Sequence, residues 1–82
     1  MPCDFIIIGS GHNGLACAGY LARAGAKILV LERSTRVGGG CHTAEATLPG
    51  FKHNICSMVH TNIPLSPVYR DLELERNGVR YV

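Results

Sequence analysis

The sequence predicts an α/β fold built on a β-α-β unit, and three observations carry that expectation. An apolar, β-branched run, Asp4–Ile8, ends at Gly9-Ser10-Gly11-His12-Asn13-Gly14, a G-x-G-x-x-G spacing. Helix-forming and small residues follow, and a second apolar run, Lys27–Glu32, then closes on an acid. The third observation is length. In 82 residues, hydrophobic burial barely offsets the conformational entropy of the chain. The sequence therefore predicts an incomplete domain, completed by further sequence or by a ligand.

Taken in order, Asp4-Phe5-Ile6-Ile7-Ile8 lacks polar alternation, as expected of a central parallel strand covered on both faces. Asn13 to Ala24 reads as a helix that Gly25 stops. At 100° per residue Leu15, Ala18, Gly19 and Ala22 share a face of small residues suited to close packing on a sheet, while Cys17 and Tyr20 point away. Lys27–Glu32 is the second buried strand, and its connection is too long for a hairpin, so the pair is parallel with a right-handed crossover.

Arg33 to Gly40 is polar and glycine-rich, hence a loop. Glu45–Leu48 and Phe51–Ile55 flank Pro49-Gly50, a turn pair, and predict a short β-hairpin. Ser66 as a cap, Pro67 at the first helical position and Gly78 as a stop predict a terminal helix over Pro67 to Asn77. Val79–Val82 alternates as a strand does.

The glycine spacing has a chemical reading in this context. Gly9 permits the sharp turn, Gly11 lets the backbone approach a pyrophosphate, and Gly14 lets the helix pack on the strand. Unpaired N–H groups at the helix start attract phosphate without Lys or Arg, so Ser10, His12 and Asn13 act mainly through the backbone. Glu32 lies eighteen residues after Gly14, at the end of the second strand, where a carboxylate accepts hydrogen bonds from adenosine ribose hydroxyls and repels a 2′-phosphate. The sequence thus predicts a Rossmann-like dinucleotide-binding unit, and the reading that stays open beside it is a β-α-β unit that has lost its ligand. Arg33 either stacks near the adenine and ribose or stands solvated at the loop start.

Composition excludes several function classes. Hydrophobic residues make up 46% and charged residues 17%, so disorder is not expected. A net charge of +2 with no basic block argues against nucleic acid. No apolar run approaches the ~20 residues of a membrane span, and Met1-Pro2-Cys3-Asp4 has no basic region ahead of an apolar core, so a secretory signal is not expected. Cys3, Cys17, Cys41 and Cys56 form no C-x-x-C pair, which fits free thiols in a reducing cytoplasm rather than a redox disulfide or a disulfide scaffold. The cysteines and four histidines make no familiar zinc spacing, so no metal is expected. Oligomeric state is not written in the sequence.

The segment after Glu32 bears on the cofactor. Glu32-Arg33-Ser34-Thr35-Arg36-Val37-Gly38-Gly39-Gly40 resembles the E-x-x-x-R-x-G-G loop of FAD enzymes such as amine oxidases and carotenoid desaturases. Gly11-His12-Asn13-Gly14-Leu15, Leu48-Pro49-Gly50-Phe51-Lys52 and Asp71-Leu72-Glu73-Leu74 narrow the likeness to the amino-terminal end of phytoene-dehydrogenase-related FAD oxidoreductases. The resemblance covers essentially the whole chain. It implies FAD as cofactor, with Gly38, Gly39 and Gly40 running against it, and a small hydrophobic substrate that is dehydrogenated or isomerised. Gly40 stands where those families usually carry Arg.

Family members have several hundred residues, so the resemblance also implies that residues 1–82 are the amino-terminal part of the cofactor domain, inactive alone and without the substrate domain. The flavin ring does the redox chemistry in such enzymes, and no side chain here is expected to be catalytic. Two other readings stay open: part of an NAD-dependent dehydrogenase, and a non-catalytic nucleotide-binding or interaction module.

Overall fold

The structure is a computed structural model that describes residues 2–60 and 62–81. Strand β1 (Phe5–Ile8) leads through the first glycine loop into helix α1 (His12–Arg23), and strand β2 (Ile28–Leu31) returns beside β1. The two strands pair in parallel from Phe5↔Ile28 to Ile8↔Leu31. The ladder extends past both ends, with Asp4 N–H donating to Lys27 O at 2.8 Å and Gly9 N–H to Leu31 O at 2.7 Å. The expected β-α-β unit is present, with each boundary within one residue of the sequence reading. Gly25 stops the helix at φ +94°, where a β-carbon would be strained.

The helix face differs from the expected one. Gly14, Ala18 and Leu21, at helical i, i+4, i+7 spacing, are half-buried, whereas Leu15 and Ala22 of the expected face are exposed. Gly14 lies against Ile7 of β1 and Gly19 against Leu72, so neighbours on two sides share the small residues.

The hairpin forms as strands β3 (Thr43–Glu45) and β4 (Lys52–Asn54), antiparallel with Thr43 opposite Asn54. Its first strand therefore ends where the sequence predicts it to begin. Pro49-Gly50 turns as expected, with Phe51 N–H bonded to Leu48 O at 3.1 Å. The Glu45 carboxylate accepts from Gly50 N–H at 3.1 Å, which draws Ala46–Leu48 out of the ladder and into the loop.

A 3₁₀ turn (Ile63–Leu65) and helix α2 (Pro67–Asp71) end the described fold. The helix is shorter than the Pro67–Asn77 reading because Glu73 adopts φ +52°. The Asn77 side chain donates to Glu73 O at 2.9 Å and fastens that turn, while Tyr20 OH donates to Asp71 Oδ2 at 2.8 Å and ties α2 to α1. Ser66 stands at the N-cap but makes no side-chain cap; its hydroxyl donates to Ile63 O at 2.8 Å. Val79–Tyr81 is not a strand, and Val82 lies outside the described residues.

Both faces of β1 were expected to be covered. Among the described residues no hydrophobic side chain is buried, and Ile6 and Ile8 are 56% and 87% exposed. The radius of gyration, 14.6 Å, exceeds the ~12 Å of a compact domain of this length. The β-α-β unit is formed, and its sheet is open to further layers.

Candidate functional site

The first glycine loop is held by polar bonds instead of apolar packing. Ser10 is fully buried. Its N–H and its hydroxyl both donate to Glu32 Oε1, at 2.9 and 2.8 Å, and Ser34 N–H donates to Glu32 Oε2 at 2.9 Å. The carboxylate at the end of β2 thereby clasps the loops that follow both strands. The N–H of Ser34, then the N–H and hydroxyl of Ser10, pull the Glu32 pKa from its ordinary 4.5 down to about 2. Three of its roughly four acceptor positions are filled, which leaves about one for a ligand.

Each glycine of this loop has a distinct constraint. Gly9 turns at φ +95°. A β-carbon on Gly14 would stand 2.5 Å from Gly9 O, so Gly14 sets how tightly α1 follows β1. Gly11 has ordinary extended backbone (φ −72°, ψ 178°), and a β-carbon there would meet no atom within 4 Å. That missing side chain borders open space at the start of α1. Among the described residues no side chain caps α1, and its first turn carries no acid, an arrangement that could accept an anion at the N–H groups around His12 and Asn13.

The second glycine loop lies directly on the first. Gly38 N–H donates to Ser10 O at 2.8 Å, and Gly11 and Gly38 form a parallel bridge. Gly38 and Gly39 have φ of +111° and +60°, and a β-carbon on Gly39 would sit 3.1 Å from Gly11 Cα. Gly40 is less constrained: its β-carbon would meet only the Cys56 side chain, at 3.4–3.5 Å. Ten of the eleven site residues predicted from sequence are thus gathered along one seam. Arg33 is exposed and makes no hydrogen bond or ion pair among the described residues.

A cleft of about 890 Å³ opens from His12 and Asn13 past Gly40 and Cys56 to Ile63 and Leu72. Beside it a smaller cleft, about 530 Å³, faces the hairpin at His42, Thr43 and Asn54. Sequence reasoning missed two features of the site: the Ser34 arm of the Glu32 clasp, signalled only by a serine two residues beyond the acid, and the chain Ser57–His60–Tyr81 in the wall of both clefts.

Residues 7–72 match the sequence profile of the NAD(P)-binding Rossmann-like domain. The chain belongs to that family. As a member of this NAD(P)-binding Rossmann-like family, it is 45% identical over 80 residues to one of the subunits of limonene dehydrogenase from Castellaniella defragrans, covering 98% of this chain and 14% of that protein. It is 40% identical over 77 residues to pyridine nucleotide-disulfide oxidoreductase domain-containing protein 2 of Rattus norvegicus, covering 94% and 13% respectively.

A shorter match, 58% identical over 40 residues, links it to all-trans-retinol 13,14-reductase of Macaca fascicularis, with 49% of this chain and 7% of the reductase covered. These relatives are oxidoreductases by name, so the oxidoreductase kinship and the Rossmann-like fold read from the sequence are borne out. The chain spans 13–14% of the two relatives that match it almost throughout. No solved structure matches the chain significantly. No helix among the described residues is long and apolar enough to cross a membrane.

Proposed function

We propose that the chain is the FAD-binding portion of an oxidoreductase whose substrate is a small hydrophobic alkene. The observation that carries this reading is the seam of two glycine loops. Gly11 leaves space for a pyrophosphate at an uncapped helix start, and Gly38-Gly39 buttresses it from the other side. In this reading Gly9 to Gly14 hold the pyrophosphate through backbone N–H groups, and Glu32 accepts one ribose hydroxyl at its open position. Gly38, Gly39 and Gly40 line the path toward the flavin, and Arg33 closes the adenosine side.

The bound flavin supplies the electron-pair acceptance, and the protein orients it and excludes water. The substrate class is supported by the relatives named for limonene and retinol. Residues 1–82 then form the amino-terminal part of a larger cofactor domain, which the open faces of β1 support. A reducing cytoplasm is part of the same proposal, supported by four free cysteines.

The test is the absorbance of the purified full-length protein and its response to limonene without oxygen. Two flavin bands that bleach on limonene addition are expected. Glu32→Ala should weaken flavin retention about tenfold or more, as the loss of a charge-assisted hydrogen bond implies. A colourless protein that binds NAD instead would overturn the FAD assignment.

A further inference from the structure

Five residues, Cys41, Ser57, Val59, His60 and Tyr81, line both clefts and so form the partition between them. Three of the five are joined by hydrogen bonds. The Ser57 hydroxyl is bonded to His60 Nε2, and His60 Nδ1 is 2.8 Å from Tyr81 OH. The partition is anchored at both ends. Ser57 N–H donates to Gly40 O at 3.1 Å, in the second glycine loop. The Tyr81 ring packs against Tyr69 of α2, with ring centres 5.8 Å apart, and Tyr69 OH donates to Val79 O at 2.8 Å.

We propose that Ser57, His60 and Tyr81 are a proton relay between the cleft at the glycine loops and the polar cleft beside the hairpin. The inference rests on the oxidoreductase reading, since redox turnover of a flavin frees or takes up a proton inside the first cleft. A neutral imidazole has one N–H and one bare nitrogen, and each hydroxyl both donates and accepts. The chain is therefore satisfied in either direction. In one tautomer Ser57 O–H donates to Nε2, Nδ1–H donates to Tyr81 oxygen, and the Tyr81 proton points outward. When a proton arrives at Ser57 Oγ, the Ser57 proton moves to Nε2, the Nδ1 proton moves to Tyr81 oxygen, and the original Tyr81 proton leaves. One proton enters and one departs. The two tautomers interconvert through the imidazolium, for which both hydroxyl oxygens are acceptors.

The surroundings give this imidazole little competition. No Asp, Glu, Lys or Arg lines either cleft among the described residues. The titratable groups that line the clefts with His60 are His12 from α1, Cys41 and His42 ahead of the hairpin, Cys56 beyond it, and Tyr81, against which Tyr69 packs. Burial and the nearby Glu75 raise the Tyr69 pKa, so that phenol stays protonated near neutral pH. Histidine is the side chain that exchanges protons readily there, and His60 is the one with a hydroxyl on each nitrogen.

The experiment uses the full-length protein with its cofactor. Flavin is first reduced with stoichiometric dithionite and then mixed with ferricyanide, which takes electrons only. Each reduced flavin anion then gives two electrons to two ferricyanides and one proton to the medium. Flavin absorbance and the colour of phenol red are followed together in weak buffer. In the native protein, proton release should keep pace with flavin oxidation. In His60→Gln and Tyr81→Phe it should lag at least tenfold while oxidation is unchanged, and added imidazole should restore it in His60→Ala. Release in step with oxidation in every variant overturns the relay.

A second readout needs no flavin. In the proton NMR spectrum of the cofactor-free protein the His60 ring N–H should appear as a hydrogen-bonded signal protected from exchange with water, and Ser57→Ala and Tyr81→Phe should each broaden or remove it, because each takes away one of its two hydroxyl partners. Should the protein prove colourless, the FAD reading fails by itself, and a ring N–H signal unchanged in both variants would then overturn the relay independently.

Discussion

In the first glycine loop a β-carbon on Gly14 would stand 2.5 Å from a backbone oxygen, whereas in the second a β-carbon on Gly40 would touch only the movable Cys56 side chain, at 3.4–3.5 Å. Gly11 differs from both, since its β-carbon would meet nothing and its backbone suits any residue. One residue type therefore answers to three conditions: helix packing at Gly14, open space at Gly11 that the proposed function gives to a ligand, and almost no constraint at Gly40. The neighbouring Gly38 belongs with Gly14, because it combines φ +111° with a backbone oxygen 2.8 Å from its β-carbon position.

The sharpest way to break this comparison is Gly14→Ala. The carbonyl it meets is fixed by the turn at Gly9, so the helix must shift, and overpacking of this kind costs ~3 kcal/mol. A thermal midpoint within a degree of the native value would show that α1 does not rest on that contact. Next comes Gly11→Val, which should leave the midpoint of the cofactor-free protein nearly unchanged and weaken flavin binding at least about a hundredfold, since several N–H contacts lengthen together. Equal loss of stability and of binding would place Gly11 with Gly14.

The Glu32 clasp sharpens the contrast between backbone constraint and polar constraint. Its folded pKa of about 2 lies below the ordinary 4.5, so its contribution to stability is fully present above ~pH 4.5 and fades as pH falls toward 2. In the cofactor-free protein Glu32→Gln should flatten the stability profile over that interval and leave its shape unchanged above it. An unaltered slope between pH 4.5 and 2 would remove the clasp from the account. The smallest effect is expected at Gly40→Arg, neutral in stability to within ~1 kcal/mol and equal or tighter in flavin retention. Loss of flavin from a folded Gly40→Arg protein would mean that the second loop approaches the cofactor more closely than the first.

How far the sequence could be read follows the range of the forces involved. The β-α-β unit was legible because local patterns and glycine spacing agree there, from Phe5 to Leu31. The glycines and the acid that meet along the seam were legible by type. The clasp was only half visible, because the likeness to dinucleotide sites predicts a carboxylate turned to ribose, whereas Glu32 spends most of its acceptors on Ser10 and Ser34. Ser66, Pro67 and Gly78 signal a long helix correctly in local terms. A left-handed Glu73 and the docking of Asp71 on Tyr20 override them, and no helix periodicity records either. His60 and Tyr81 are 21 residues apart, in stretches with no motif to connect them.

The bond between Ser10 and Glu32 also bears on the order in which the protein assembles. These residues are 22 positions apart, and their side chains meet only when β1 and β2 are already in parallel register with α1 laid across them. The clasp is therefore expected to form after the costly closure of the crossover. Weakening it should then act mainly on the rate at which the molecule opens and leave the rate at which it forms nearly untouched. The glycine seam would in that sense be a late-closing latch, and a nucleotide seated beside it, as proposed above, should prolong the lifetime of the native state more than it hastens its formation.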